Sequence, residues 1–211
     1  MSSFIMYYRT AWNDFFSGTT PATPLVPKQY TSRQTVSGTY IHVTNCLFNQ
    51  ITSSSNGGAL YCSSATYFLV ESSYFYSCKT TSTHGGAIYF SYSSGECVLH
   101  RVCGYSCFST KIDSTTYGQF AYISVNNVAS SKNYVNYSSI TRSVGELTSV
   151  WHPLDLRNGK ILCPSINSSM NKCGYRTGAS CYPFLDSNSV TCQLTYSTFA
   201  DNNSTGHRCI Y

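Results

Sequence analysis

Few side chains in this sequence are equipped for acid–base work, and their spacing decides what they could do. The carboxylates are Asp14, Glu71, Glu96, Asp113, Glu146, Asp155, Asp186 and Asp201. No two are adjacent or two apart, so no single strand offers the paired acids of a glycosidase or a Ca²⁺ site. Offsets of 27 and 29 residues nevertheless bring Thr44, Glu71 and His100 into one column, with Arg101 beside them. A Glu above a His at that spacing could exchange a proton; the plainer reading is a polar ladder on a solvated face. His42, His84, His100, His152 and His207 show neither H-x-x-x-H nor H-E-x-x-H spacing, and His84 precedes a glycine pair at what reads as an exposed turn.

Among the 11 cysteines only Cys103 and Cys107 approach a zinc-type spacing, and no second pair accompanies them, so neither a metal nor a cofactor is expected. Cys62 and the Cys78/Cys107 stack read as small interior hydrophobes. Cys163, Cys173, Cys181, Cys192 and Cys209 fall among turns, where an oxidising compartment would pair them. Asn136, Asn167, Asn202 and Asn203 each head an N-x-Ser/Thr triplet and are candidate glycosylation sites in a secreted chain. Tyr61 and Tyr89, with Tyr122 extending them, form a candidate outer ladder. Such rings offer a sugar or protein partner apolar area with a polar tip, or simply stack on each other.

The elements that position these residues repeat. Asn45-Cys46-Leu47-Phe48 leads through a Ser/Thr-rich turn to Gly57-Gly58-Ala59-Leu60-Tyr61, and Ser72-Ser73-Tyr74-Phe75 leads likewise to Gly85-Gly86-Ala87-Ile88-Tyr89. Tyr76-Ser77-Cys78 recurs as Tyr105-Ser106-Cys107, Tyr117-Gly118-Gln119-Phe120 is a degenerate third glycine element, and Phe199-Ala200-Asp201-Asn202 returns to the first element. Short aromatic or β-branched runs are separated by turn-forming clusters, with Leu60, Cys62, Ile88 and Phe90 facing in and Tyr61 and Tyr89 out. A period of 27 to 29 residues without a helix pattern predicts an all-β parallel β-helix of about five to six coils. An antiparallel sandwich with Gly-Gly hairpins is the competing fold. The glycines suit corners needing positive φ, and Ala59 and Ala87 keep those corners small.

Composition narrows the classes. The chain has 211 residues, 42% hydrophobic and only 10% charged, against about 25% charged in an average soluble domain. The net charge of +5 is spread without a Lys/Arg run, which argues against nucleic acid. No stretch reaches the ~18 apolar residues of a membrane span, and the N-terminus lacks the pattern of a secretory signal. Residues 1–39 read as an aromatic capping segment over the open end of the solenoid, followed by a Pro-containing linker from Gly18 to Pro27. Residues 40–211 read as the repeat domain, clear over 40–125 and degenerate over 126–211. Arg142 to Lys160, around Trp151-His152-Pro153, reads as a protruding loop. The C-terminus stops mid-strand by pattern, as a truncated molecule would.

Gly57 to Leu60 and Gly85 to Ile88 match a GGA-[ILV] element, and Phe199 to Asn202 matches F-x-x-N. Together they resemble the polymorphic outer-membrane-protein repeat of chlamydial and trichomonad surface proteins, the Tyr/Cys/Ser/Asn bias being closer to the protist members. The resemblance implies a right-handed, pectin-lyase-like parallel β-helix displayed at the cell surface or secreted, non-enzymatic, with a role in adhesion to a host protein or glycan, or in antigenic variation. The alternatives are a carbohydrate-active enzyme built on Glu71, His100 and Arg101, and a truncated family fragment without function. Uncapped coils would also permit end-to-end self-association.

Overall fold

The computed structural model describes residues 11–111, 116–144, 152–173, 181–184 and 192–204. These form an all-parallel β-solenoid of about five turns with almost no helix. Three faces run its length. Face I stacks Tyr40–Thr44, Tyr67–Glu71, Glu96–His100, Lys132–Asn136, Lys160–Pro164 and Cys192–Thr195. Face II stacks seven strands from Gln29–Tyr30 to Thr198–Ala200, and face III six from Gln34–Val36 to Cys181–Phe184. The observed pairings Leu60 to Ile88 and Leu69 to Val98 reproduce the 28- and 29-residue offsets of the repeat. Coil order and parallel pairing exclude the antiparallel sandwich.

Period-2 alternation fills the interior. Ile41, Phe68 and Cys97 form one inward column of face I, and Val43, Val70, Leu99, Val135 and Cys163 form the other, all fully buried. On face II, Phe48 and Phe75 stack with ring centroids 4.5 Å apart. The third coil has Gly104 at that position, and Phe120, which replaces the alanine of the GGA corner, fills the space: a Cβ on Gly104 would lie 2.3 Å from the Phe120 ring. Large and small residues have exchanged places inside one coil, which is why its glycine element looks degenerate.

Two single-residue corners bend each coil. Asn45, Ser72, Arg101, Tyr137, Ser165 and Tyr196 separate face I from face II with φ between 46° and 57°. Gln50, Ser77, Ser106, Arg142, Met170 and Asp201 follow face II in the same left-handed conformation. Each conformation costs a non-glycine residue about 1–2 kcal/mol. It persists because the corner N–H is donated to the next coil, as from Ser72 to the His100 carbonyl at 3.0 Å and from Ser77 to that of Tyr105 at 2.8 Å. Behind the second corner, Asn171 and Asn202 line the interior. The Asn202 Oδ1 accepts the Asn171 N–H at 2.9 Å and its Nδ2 donates to the Ser168 carbonyl at 2.7 Å. Cys107 and Cys78 occupy the equivalent place two and three coils before Asn171. The Cys78 and Cys107 thiols reach the Phe48 and Phe75 carbonyls of the preceding coil at 3.5 and 3.4 Å, the counterparts of the Ser168 carbonyl that takes the Asn202 amide, so cysteine substitutes for the asparagine of F-x-x-N.

The third corner is the GGA element. Gly57 and Gly85 have φ of 66° and 64°. Gly58 and Gly86 are constrained by space instead: a Cβ on Gly58 would sit 2.1 Å from the Gly86 carbonyl oxygen. Downstream the same column holds Gln119 and His152, both fully buried.

The N-terminal region departs from expectation. Trp12–Phe15 forms a short helix, but it lies along the outside of face I rather than over the open end. The linker contributes an edge pairing, Ala22 bridging to Ile41, so the solenoid begins before residue 40. The segment expected to protrude also differs: His152 and Pro153 are buried, and Leu154–Arg157 is a strand of face III. The Trp151 and C-terminal Cys209–Tyr211 readings lie outside the described residues.

The Gly104/Phe120 exchange makes a quantitative expectation. Phe120→Ala should lower the urea-unfolding free energy by about 3–5 kcal/mol, as removal of a buried Phe does. Adding Gly104→Phe should recover most of that loss, whereas Gly104→Phe alone should destabilise by overpacking.

Candidate functional site

The column read from the sequence exists: Thr44, Glu71, His100 and Asn136 are neighbours in register. It is not solvated. Glu71 and His100 are 5% and 8% exposed because the N-terminal helix covers them. Glu71 also takes a different partner from the one expected. Its Oε2 is 2.9 Å from His42 Nε2, one coil back and one column across, and both carboxylate oxygens accept the Ala11 N–H at 3.1 and 3.2 Å. Burial works to raise the Glu71 carboxyl, but the hydrogen bonds from His42 and Ala11 outweigh it and hold the group below the usual carboxylate range. Burial, aided by Arg101, holds the His100 imidazole below its usual value. Arg101 itself is an exposed corner residue. A substrate has no path to Glu71 while the helix is docked.

What the helix covers is an apolar stripe on the outside of the sheet, which period-2 reading would assign to solvent. Leu69 and Val98 pack under Trp12 and Phe16, with Phe15, Tyr40, Tyr67 and Tyr134 around them. Phe16 stacks on Tyr67 at 4.6 Å, and Phe15 meets His100 edge-on at 5.4 Å. Burying Trp12, Phe16, Leu69 and Val98 gains roughly 6–12 kcal/mol at about 1.5–3 per side chain. Fixing the backbone of residues 11–16 costs a similar amount, about 1–2 kcal/mol each.

The outer tyrosines of face III form a continuous stack. Tyr61 to Tyr89 is 5.2 Å and Tyr89 to Tyr122 is 5.3 Å, at 5° and 10°. A guanidinium closes each end: Arg33 lies 4.7 Å over Tyr61, and Arg157 5.0 Å over Tyr122 and 4.5 Å over Tyr117. His84 is not simply exposed at its turn but stacks on Tyr122 at 4.7 Å. Beyond Tyr122 the column continues into Asp155, whose carboxylate accepts two bonds from Arg157 at 2.8 and 3.2 Å. Full burial pushes the Asp155 carboxyl upward, partly offset by Arg157. Sequence reasoning missed this pair; its signal was an Asp and an Arg two apart on a strand, the spacing that puts both on one face. With both ring faces of Tyr89 occupied by neighbours, this ladder serves packing.

Face II offers the open aromatic surface. Tyr74, Tyr76 and Tyr105 are 57%, 44% and 37% exposed, and with Leu47, Asn49 and Cys103 they line an apolar groove of about 390 Å³. The Arg142 guanidinium donates to the Tyr105 hydroxyl at 3.0 Å at its margin. Cys103 points into this groove while Cys107 points inward, so the two do not converge. Cys163, expected at a turn, is a fully buried core residue. The side chains of Cys173, Cys181 and Cys209 lie outside the described residues.

The four sequons separate by exposure. Asn136 is buried, and Asn202 has its amide engaged on both sides. Asn167 and Asn203 are exposed.

These features define a parallel β-solenoid with one covered outer face, one self-stacked tyrosine ladder and one exposed aromatic groove. No family model, curated protein or solved structure matches this chain. No helix of the described residues is long and apolar enough to cross a membrane.

Two outcomes test this description. Tyr89→Ala should destabilise by about 1–3 kcal/mol in urea unfolding through loss of two stacked pairs; an unchanged midpoint would mean the ladder is not structural. Burial drives the buried His152 down to about 3. Its native value lies below the ordinary ~6.5, so the unfolded state binds the proton more readily, and stability falls as pH drops from about 6.5 toward 3. Between pH 6.5 and 5 this amounts to about 2 kcal/mol at ~1.4 kcal/mol per unit, and His152→Gln should remove that part of the slope.

Proposed function

We propose that the protein is a non-enzymatic surface or secreted β-solenoid that binds a protein or glycan partner through face II. The observation that carries this reading is the groove around Tyr74, Tyr76 and Tyr105, which is apolar, open and without a charged side chain in its lining. Exposed aromatic area of this kind, with none of the described residues packed over it, suits a partner presenting uncharged rings or apolar side chains. The similarity of the GGA-[ILV] and F-x-x-N elements to the polymorphic outer-membrane-protein repeat supports display and adhesion. The carbohydrate-active alternative would need Glu71 and His100 open to a substrate, and in this structure both are buried beneath the N-terminal helix.

Binding of the folded protein to a glycan array and to cultured cells tests the reading. Tyr74→Ala with Tyr105→Ala should abolish binding while leaving the unfolding midpoint near that of the parent; binding that survives both changes would sink it. Passage through a glycosylating secretory route should attach glycans at Asn167 and Asn203, read as a loss of up to two glycans in intact mass after N-glycosidase. Modification at Asn136 or Asn202 would contradict the burial of the first and the hydrogen-bonded amide of the second.

A further inference from the structure

The aromatic groove of face II is apolar at its centre and cationic at its margins. Across the Leu47 and Tyr74 side chains it adjoins a second hollow of about 230 Å³, which Lys28 helps to line. Lys28 is exposed ahead of the first face II strand, and Arg142, bonded to the Tyr105 hydroxyl, follows the fifth. Those two strands are four coil spacings apart, about 19 Å at ~4.8 Å each. Arg101 occupies the exposed corner just ahead of Cys103. None of these three cations meets a carboxylate among the described residues. Glu71 is held by His42, Glu96 by Lys132 and Asp155 by Arg157, all away from face II, and Asp14 belongs to the helix over face I. Asp201 stands on the same margin as Arg142 but two coils further on, about 10 Å at that spacing. Resting on the reading of this groove as the binding surface, we propose that its partner is an acidic polypeptide segment. An aromatic or aliphatic side chain fills the groove beside Tyr74 and Tyr105, and flanking Asp or Glu carboxylates meet Lys28 and Arg142.

The lining decides between a peptide and a sugar. Besides the tyrosine hydroxyls and the Cys103 thiol, its one polar side chain is Asn49, and the Tyr105 hydroxyl is already engaged by Arg142. A sugar ring brings several hydroxyls into such a groove, and each one left unpaired there weakens binding about tenfold or more. An aromatic or aliphatic side chain brings none. An extended segment can also keep its backbone groups toward water while only the anchor descends, and about six residues at ~3.3 Å span the distance between the two cations' strands. The tyrosines and the cations then divide the work. Burial of the anchor supplies affinity, whereas exposed rim charges contribute little to it and mainly set the rate of encounter, the salt dependence and the choice of partner. The net charge of +5 steers in the same direction.

Selection from a displayed library of random dodecapeptides against the folded, immobilised protein reads this directly, with a heparin oligosaccharide and a neutral oligosaccharide tested beside it. Retained peptides should be enriched in Asp and Glu around a Phe, Tyr, Trp or Leu, and Tyr74→Ala with Tyr105→Ala should retain none of them. Affinity for a selected peptide should fall as salt is raised. Lys28→Glu with Arg142→Glu, both at exposed positions, should bind that peptide about tenfold more weakly and select basic flanks from the same library. Retention of uncharged or basic peptides by the parent, an affinity unmoved by the double charge reversal, or capture of an oligosaccharide but no peptide overturns the acidic-peptide assignment. In each of those cases sensitivity to Tyr74→Ala with Tyr105→Ala leaves the groove standing as the binding surface. Peptide and glycan binding that both ignore the tyrosines would remove the groove reading itself, and this assignment with it.

Discussion

Each corner of the solenoid must place a backbone N–H where the next coil has a carbonyl, and the remaining architecture follows from that requirement. A corner made by one left-handed residue turns the chain while keeping its amide aligned with the stack. Because every coil uses the same two corners between and after faces I and II, the strands on both sides arrive in register. Identical columns then fall above one another. The interior phenylalanines, the inward asparagines and the outer tyrosines are stacked because the corners are. The conformational cost, about 1–2 kcal/mol per non-glycine residue, is offset by ladder hydrogen bonds on both sides of each interior strand. A coil that lost its corner would lose register with both neighbours.

How much of this was legible varied with the kind of residue that carried it. The GGA corners could be read because only glycine fits them: one glycine needs positive φ, and its neighbour has no room for a Cβ. The other corners could not be read, since Ser72, Arg101, Tyr137 and Met170 share no chemistry and are defined by backbone conformation alone. Cys78, read from the sequence as a small interior hydrophobe, stands at the asparagine position of F-x-x-N. There a thiol bonds the Phe48 carbonyl of the preceding coil, the one an amide would bond. Later coils blurred because the corner column changes from Gly58 and Gly86 to Gln119 and His152, which obscures a repeat that the register preserves.

The candidate site shows the same divide. Column membership of Glu71 and His100 followed from repeat arithmetic and was right. Their environment was not, because a segment distant in sequence lies over them, and no periodicity within the repeat announces a cover supplied from outside it. The apolar residues at outward positions, Leu69 and Val98, were the available signal: on a solvated face they have no reason to be there. The tyrosine ladder resolved differently. Its stacking was foreseeable from the offsets, whereas the two arginines closing its ends were not, Arg33 arriving from the chain ahead of the first full coil and Arg157 from the fourth.

The exchange between Gly104 and Phe120 has a consequence for how such a protein changes length. Both residues belong to one circuit of the chain, so the hole left by the small residue and the bulk that fills it travel together. That circuit can be duplicated or deleted whole and still present its neighbours with a filled cross-section. A crossover falling inside it would separate the two and leave either a void or a collision. The natural unit of exchange in this chain is therefore the complete circuit, and coils of quite different sequence can be traded provided the cut falls at the corner before face II, since the other two corners lie between Gly104 and Phe120.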